Sequence, residues 1–291
     1  MKFSELDKKM RVYEESIDQY IVPGMYIVAR LDGRSFTRLT REICKFEAPF
    51  DIKFRDLMVA TTKHIMDCGF NVRYGYTESD EISLLFSPDN SAFGNKVRKI
   101  NSILAGEASG FFSLELGKPV CFDSRVVPLP NIDLVKDYFL WRQEDANRNA
   151  LNAWCYWTLR KEGKSKREAT SFLSGQSIAF KNEMLFERGI NYNDVPMWQK
   201  RGIGVYGDVL LKDGFNPINI YRDDLIFGPD DEWDIVEVRR GWSCGINPAF
   251  CEVNERYIIY KRQEEKLWNF GIVEQVHKRH IPGERPWVRH L

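Results

Sequence analysis

Residues 31–36, with the sequence LDGRSF, and residues 77–83, with the sequence TESDEIS, decide how this chain is interpreted. Each pairs a short apolar run with carboxylates at its end, which is how a strand carries charged side chains to the rim of a sheet. The run before the first stretch, residues 25–31 (MYIVARL), is rich enough in β-branched and aromatic residues to be a strand that Asp32 and Gly33 close. We interpret the two stretches as parts of one site.

The elements around these stretches follow a recognisable order. They are a helix capped by Asp51 and stopped by Gly69, strands over residues 71–76 and 82–86 joined by a tip at 77–81, a helix over 93–116, and a strand over 120–127 ended by Pro128 and Pro130. With the first strand this is β-α-β-β-α-β. The sequence therefore predicts an α+β protein with a ferredoxin-like palm, an antiparallel sheet with helices on one face.

In that topology the first and third strands are antiparallel neighbours, so Asp32 meets Asp80 and Glu81. Converging carboxylates repel one another and raise each other's pKa unless a cation lies between them. Magnesium suits such oxygen ligands, and two ions would activate an attacking oxygen and stabilise a leaving pyrophosphate. An Asp-Gly turn or an acidic hairpin tip is usually only solvated, but their meeting in one topology favours a metal site.

Six blocks in a fixed order resemble the tRNA-histidine guanylyltransferase family over about residues 20 to 212. They are LDGRSF at 31–36, SDE at 79–81, FDSRVV at 122–127, WRQ at 141–143, KNE at 181–183, and NY with PM between 191 and 197. The resemblance implies a palm like that of DNA polymerases that adds nucleotides to the 5′ end of tRNA, in the 3′ to 5′ direction. ATP or GTP first activates that end, and the 3′ hydroxyl of an incoming nucleotide displaces the leaving group.

The resemblance also implies roles for individual residues. Asp32, Asp80 and Glu81 would be catalytic, and Asp32, Asp80 and the carbonyl of Gly33 would bind two magnesium ions. The nucleotide-contacting positions would be Asp32, Gly33, Arg34, Ser35, Phe36, Thr37, Ser79 and Asp80. Arg125 and Lys181 match positions that face phosphate or RNA, and a homotetramer is implied as well.

Several departures from the family bear on the substrate. Enzymes that add guanosine to tRNA-histidine carry the block HINNLYN, where this chain has NRNALNA at residues 147–153. Thr37 replaces a His of the eukaryotic enzymes, and Ala48 replaces a Lys that contacts the triphosphate, a loss that Lys45 or Arg34 would have to compensate. The chain thus resembles the guanylyltransferase-like branch, which is implied to repair 5′-truncated tRNAs by pairing with the opposite strand.

The charge of the whole chain does not favour nucleic-acid binding, because 42 basic residues balance 42 acidic ones. Contacts with RNA must therefore come from patches. The strongest is the basic run at residues 160–167, which begins with Arg160 and Lys161; the others are residues 96–99 and the tail at 277–289.

Composition and targeting signals predict a cytoplasmic protein. No stretch is long and apolar enough to cross a membrane, and the first ten residues lack an apolar signal core. The six cysteines are scattered without a Cys-x-x-Cys pair, which favours free thiols over disulfides or a zinc site.

The chain divides into a palm at residues 1–135, a helical region at 136–212 and an extension at 213–291 of unassigned role. The helical region is predicted to hold a long helix to Gly163, a shorter one over 165–173, and a closing strand over 202–211. Two other functions remain open. A palm-fold nucleotidyl cyclase would use the same carboxylates without Lys181 or the basic run, and a non-catalytic RNA-binding module would need aromatic residues on its sheet face.

Overall fold

A computed structural model of the protein describes residues 2–210 and 239–245. The chain forms two compact units, which divide between Asn131 and Ile132. The basic patch predicted at residues 277–289, the free thiol predicted at Cys251 and a strand-like run, YIIY at residues 257–260, all lie outside the described residues. Across the described ranges, no helix combines the length and the apolar character that crossing a membrane requires.

The first unit contains four helices and four strands among its described residues, with one π-helical turn and one 3₁₀ turn. They are α1 Phe3–Glu15, β1 Tyr26–Gly33, α2 Phe36–Arg38, the π-helical turn Leu39–Ile43, α3 Ile52–Met66, β2 Val72–Glu78, β3 Glu81–Phe86, the 3₁₀ turn Ala92–Asn95, α4 Val97–Leu116 and β4 Phe122–Leu129. The strands lie in the order β4-β1-β3-β2 with antiparallel neighbours. Helices α3 and α4 pack against each other, and each packs against strands of the sheet. This confirms the predicted ferredoxin-like βαββαβ arrangement.

The ends of several elements differ from the prediction for local reasons. Strands β2 and β3 run to Glu78 and from Glu81, so the connection is a two-residue turn in which Ser79 has a φ of 48°. Such short hairpin turns use positive φ because it matches the twist of the strands. Strand β4 continues through Pro128, which is tolerated because β4 is at the edge of the sheet among the described strands.

Helix α4 begins at Val97, four residues later than predicted. Phe93, Gly94 and Asn95 all have positive φ, which interrupts the helical backbone before that point. Helix α3 begins as predicted, because the Asp51 carboxylate accepts hydrogen bonds from the backbone N–H groups of Lys53 and Phe54. Helix α1 has no counterpart in the sequence prediction.

An aromatic cluster underlies the end of β1. The ring of Phe36 lies 4.9 Å from that of Phe122, 5.2 Å from that of Phe112 and 6.2 Å from that of Phe54, measured between centroids. Tilted and edge-to-face contacts of this kind add to the free energy gained by burial. The segment that follows β1 is therefore anchored in the core of the unit.

The second unit is mainly helical. It contains α5 Ile132–Lys161, α6 Lys166–Leu173, α7 Ile178–Phe186, the 3₁₀ turn Tyr192–Asp194, α8 Met197–Arg201, β5 Ile203–Leu210 and β6 Arg239–Gly245, with β5 and β6 paired antiparallel. Its core joins α5, α6 and α7 through Leu151, Cys155, Leu159, Ala169, Leu173, Met184 and Leu185. The two predicted helices and the closing strand are confirmed, each to within two residues. Cys44, Cys68, Cys121 and Cys155 are free thiols.

Candidate functional site

The two stretches that motivated the site prediction meet at one end of the first unit's sheet. Asp32 on β1 pairs with Glu81 on β3, and the N–H of Gly33 donates a 3.0 Å hydrogen bond to the carbonyl oxygen of Asp80. The register of two central strands, reinforced by this bond, sets the positions of the acidic residues. The structure thus brings Asp32, Asp80 and Glu81 together although they are distant in sequence.

Asp80 is the acidic residue with the most unusual surroundings. Burial, and in second place the negative charge of Asp32, raise the pKa of its carboxyl above the ordinary value for aspartate. The hydroxyl of Ser79 donates a 3.1 Å hydrogen bond to Oδ1 of Asp80, which partly offsets the shift. A cation between Asp32 and Asp80 would remove the repulsion that the two carboxylates feel at neutral pH.

The donor set fits magnesium with a small number of protein ligands. Among the described residues, no group of three or more His, Cys, Asp or Glu side chains could hold a metal ion. Glu81 instead faces Arg30, with 3.8 Å between Oε2 and Nε. The pair of carboxylates from Asp32 and Asp80 suits magnesium, which is commonly bound by one or two carboxylates and by substrate phosphates.

The loop after β1 alternates between anchored and exposed residues. A Cβ added to Gly33 would lie 2.5 Å from the ring of Phe36, so only glycine fits there. The side chain of Phe36 is buried, whereas Arg34, Ser35 and Thr37 are exposed. The N–H of Arg34 donates to the carbonyl oxygen of Cys121 at 2.8 Å, which fixes the loop against the start of β4. The predicted nucleotide-contacting residues are thus held as a unit, with three side chains free to meet a ligand.

The strand register reveals a row of acidic residues longer than the sequence indicated. Asp123 on β4 pairs with Asp32, and Glu78 on β2 pairs with Glu81, so four acidic residues lie in succession across four strands. Asp123 was missed as a site residue. It lies inside the FDSRVV block. Its place near the start of a strand that runs antiparallel to β1 is the sequence signal that could have identified it.

A basic pair lies beside the acidic row. Arg125 pairs with Arg30, two residues along from Asp123 and Asp32. Arg125 is exposed, with Nη2 3.4 Å from Oδ1 of Asp123. Nε of Arg30 is buried and makes no hydrogen bond within the described part of the chain. Arg125 is therefore the member of this pair that presents an exposed positive charge near the carboxylates, whereas Arg30 lies against Glu81.

The other predicted phosphate-binding residues belong to the second unit. Lys181 lies on α7, and its carbonyl oxygen accepts a hydrogen bond from the Cys155 thiol at 3.6 Å. Burial raises the pKa of that thiol to about 11. Arg160 and Lys161 are the last two residues of α5, where positive side chains interact favourably with the helix dipole.

Two aromatic residues beside the basic run were not predicted as part of any site. Phe172 on α6 and Phe180 on α7 are exposed, and their ring centroids lie 5.8 Å apart. Nζ of Lys164 lies 5.7 Å from the centroid of the Phe172 ring. An aromatic on a helix that follows a basic run is the sequence signal that could have identified this surface.

The block that departs from the histidine-specific enzymes lies on α5 and is held by polar contacts. The hydroxyl of Tyr192 lies 3.1 Å from both the carbonyl oxygen and Oδ1 of Asn147. Burial raises the pKa of Tyr192 to about 12. Asn149 donates to Asp145 at 3.3 Å, and Arg148 also contacts Asp145. Asn147, Arg148 and Asn149 thus all make contacts within their own unit.

Comparison with known proteins places these features in context. Residues 7–130 match the family described as tRNAHis guanylyltransferase, and residues 133–214 match the Thg1 C terminal domain. The tRNA(His) guanylyltransferase of Debaryomyces hansenii is 34% identical over 198 residues, which are 64% of this chain and 74% of that protein.

Solved structures agree with the sequence matches. A bacterial tRNA(His) guanylyltransferase (Thg1)-like protein in complex with GTP is 25% identical, with a TM-score of 0.58 over 82% of this chain and 90% of the other. The complex of such a protein with ATP is 29% identical, with a TM-score of 0.60 over 69% of this chain and 88% of the other.

Proposed function

The chain belongs to the tRNAHis guanylyltransferase family of nucleotidyltransferases, and on that premise we propose that it adds nucleotides to the 5′ end of tRNA or a tRNA-like RNA. We propose further that the addition is directed by the opposite strand and repairs truncated 5′ ends. The observation that carries the proposal is the placement of Asp32 beside Asp80, where burial and mutual repulsion raise the pKa of Asp80. Two carboxylates held together in this way repel each other at neutral pH, and a bound cation would remove that cost.

The reaction has two displacements at phosphorus. In the first, an oxygen of the RNA 5′ phosphate attacks the α-phosphorus of ATP or GTP and pyrophosphate leaves. In the second, the 3′ hydroxyl of the incoming nucleotide attacks the activated 5′ phosphorus and the nucleoside monophosphate leaves. GTP and ATP are the ligands of the related bacterial structures, which supports nucleotides as ligands of this chain.

Within this proposal the carboxylates of Asp32 and Asp80, with the carbonyl of Gly33, would hold two magnesium ions. Magnesium supplies positive charge that stabilises the charge developing on the phosphate oxygens. Ser79 orients the Asp80 carboxylate, and the hydrogen bond from the Gly33 N–H fixes the Asp80 backbone. Arg30 lies 3.8 Å from Glu81, which supports a positioning role for Glu81 close to the reacting groups.

The loop after β1 supplies the contacts to the nucleotide in this proposal. Arg34 and Thr37 are exposed and can donate hydrogen bonds to phosphate or sugar oxygens. Arg34 and Lys45 are also the exposed positive side chains that could replace the family lysine lost at Ala48. Arg125, two residues along β4 from Asp123, would contact a phosphate of either substrate.

The second unit supplies the RNA contacts. Arg160, Lys161 and Lys181 would face backbone phosphates, and Phe172 with Phe180 offers an exposed aromatic surface on which an unpaired base can stack. A basic side chain beside an aromatic ring is a common arrangement for binding single-stranded nucleic acid. A homotetrameric assembly and a cytoplasmic location stay predictions from the resemblance and the sequence.

A second candidate function is guanosine addition to tRNA-histidine, favoured by the names of the relatives that match. Against it stands the NRNALNA block, in which Asn147, Arg148 and Asn149 make contacts within their own unit. We therefore favour repair.

The two functions are separated by one assay. Purified protein is given ATP, labelled nucleotides and magnesium, with either a tRNA lacking its first nucleotide or intact tRNA-histidine. We expect addition on the truncated tRNA that follows the opposite base, and its loss in Asp32→Asn and Asp80→Asn. Addition of guanosine to tRNA-histidine alone would establish the second function, and a cyclic mononucleotide as the only product would establish a cyclase.

A further inference from the structure

Helix α1 carries an apolar stripe with the spacing of a coiled-coil seam. Phe3, Leu6, Met10 and Tyr13 lie on the helix, and Ile17 follows on the next turn of chain, so the spacing alternates between three and four residues. All five side chains are exposed, by fractions between 42% and 82%, and no residue of α1 is buried. A stripe with this period buries its apolar side chains against a second helix.

Charged residues flank the stripe with opposite sign on its two sides. Lys2 and Lys9 directly precede Phe3 and Met10, the first apolar residue of each repeat. Asp7 and Glu14 directly follow Leu6 and Tyr13, the second apolar residue of each repeat. These are the g and e positions that select partner and orientation in coiled coils. Asp7 also pairs along its own helix with Arg11, with 2.8 Å between Oδ2 and Nε.

We propose that α1 pairs with α1 of a second copy of this chain in a parallel two-stranded coiled coil. In that arrangement Phe3, Leu6, Met10 and Tyr13 each face the same residue of the other copy. Lys2 faces Asp7 of the second copy, and Lys9 faces Glu14 of the second copy, which gives four interhelical ion pairs by symmetry. An antiparallel pair would instead bring lysine to lysine and acid to acid, so the charge pattern selects the parallel form.

The connection after α1 is firmly fixed to the first unit. The carboxylate of Asp18 contacts Nζ of Lys96 at 2.7 Å and also contacts Arg98, at the start of α4. The N–H of Val97 donates to the carbonyl oxygen of Gln19 at 2.9 Å. Because the end of the helix is tied down in this way, pairing of two α1 helices holds the first units of two copies together.

Charge reversal in the full-length chain tests the proposal, with sedimentation as the measurement. One double variant carries Asp7→Lys with Glu14→Lys, and the other carries Lys2→Glu with Lys9→Glu. Each leaves four charges of the same sign beside the stripe. Each double variant is expected to sediment at half the mass of the unchanged protein, and an equimolar mixture of the two is expected to restore that mass. Lys8→Glu with Glu15→Lys changes the same kinds of charge on the outer face of α1 and should leave the mass unchanged.

A cysteine introduced into α1 tests the orientation, with the unchanged protein and its native thiols as the baseline. In the parallel pair Leu6→Cys faces itself and forms an intermolecular disulfide on mild oxidation, whereas Lys8→Cys on the outer face does not. In an antiparallel pair centred on the stripe, residue 6 would lie opposite a residue about eight positions away, or about 12 Å along the axis, which is too far for a disulfide.

The outcomes that overturn the proposal are distinct. A monomeric unchanged protein at all concentrations would mean that something other than a second copy, such as residues 211–238 or 246–291 of the same chain, covers the stripe. Equal cross-linking of Leu6→Cys and Lys8→Cys would rule out the seam. Circular dichroism melts of every variant establish that a change in mass is not a loss of folding.

Discussion

The carboxylates of the candidate site in the first unit and the basic run of the second unit are held in different ways. Asp32, Asp80 and Glu81 are set by strand register and by a backbone hydrogen bond between Gly33 and Asp80. Lys161, Lys166 and Arg167 extend from helix ends into solvent on flexible stems. A site that positions phosphorus chemistry needs the first kind of support, whereas attraction of an RNA backbone tolerates the second. We therefore expect all-or-none effects in one region and graded effects in the other.

The largest expected effect is that of Asp80→Asn. Loss of the charge should lower the rate of nucleotide addition by roughly 100- to 1,000-fold, the scale of removing one electrostatic contributor in an active site. The melting temperature should not fall, because the amide removes a buried charge that Asp32 repels. Single-turnover addition and differential scanning calorimetry measure the two effects.

Asp123→Asn sharpens this prediction. Asp123 pairs with Asp32 in the acidic row but is exposed, so we expect its loss to change the rate by only a few fold. A loss of rate in Asp123→Asn as large as that in Asp80→Asn would instead mean that Asp123 on β4 takes part in catalysis as well. Normal turnover in Asp80→Asn would remove the basis of the proposed function.

The next effect concerns the loop that joins the site to the core. Gly33→Ala places a methyl group 2.5 Å from the Phe36 ring and should destabilise the protein by about 1–3 kcal/mol, the cost of overpacking. It should also lower the rate of addition because the loop must move. Gly106→Ala is the matched control: it lies in α4 with open space around it, and should stabilise by about 0.4–1 kcal/mol. Urea denaturation measures the free energy of unfolding of both variants. Equal values for Gly33→Ala and Gly106→Ala would show that the loop accommodates the added methyl group without cost.

A smaller effect is expected at the basic run. Lys164→Ala should raise the KM for truncated tRNA a few fold and leave kcat unchanged, and should reduce the slope of log affinity against log salt by about 1. Phe172→Ala should raise the KM without altering the salt slope, since stacking releases no counterions. Lys53→Ala, an exposed lysine of the first unit, serves as the control. A change in kcat for Lys164→Ala would mean that the basic run contributes to the chemical step. The two regions would then not differ in the way proposed.

The smallest effect is a dependence of thermal stability on pH and magnesium. The folded-state pKa of Asp80 is raised above its unfolded value, so the folded state binds a proton more tightly and stability falls as pH rises from about 4 through that raised pKa. Magnesium competes with the proton, and its stabilising shift in Tm should therefore be larger at about pH 7.5 than at about pH 5. Asp80→Asn should remove most of the difference, and an equal shift at both pH values would argue against a cation site at Asp80.

Much of the first unit could be predicted from sequence because its strands carry strong local signals. The β-branched run before Asp32 and the acidic turn at Ser79 and Asp80 predicted both the topology and the meeting of Asp32 with Glu81. The left-handed conformation of Phe93 could not be foreseen, since a bulky residue seldom adopts positive φ, whereas Gly94 and Asn95 both tolerate it.

Helix α1 escaped prediction for a different reason. Searches for helices look for a face that the same chain buries, and α1 buries none of its residues within the described structure. Asp123 was likewise missed, because its relevance depends on the register between β1 and β4 and not on any pattern within its own strand. Such pairings follow from the whole sheet and are invisible to local periodicity.

The alternation in the loop after β1 has a consequence for how this enzyme could be altered. Gly33 and Phe36 are fixed by the aromatic cluster, whereas Arg34, Ser35 and Thr37 are exposed between and after them. A saturation library over residues 33–37 should therefore divide cleanly, with two intolerant positions and three that accept replacement while the protein still folds. At Ser35, where φ is 63°, glycine and asparagine should be enriched among the survivors. New nucleotide preferences are thus accessible from three side chains, without any compensating change in the core.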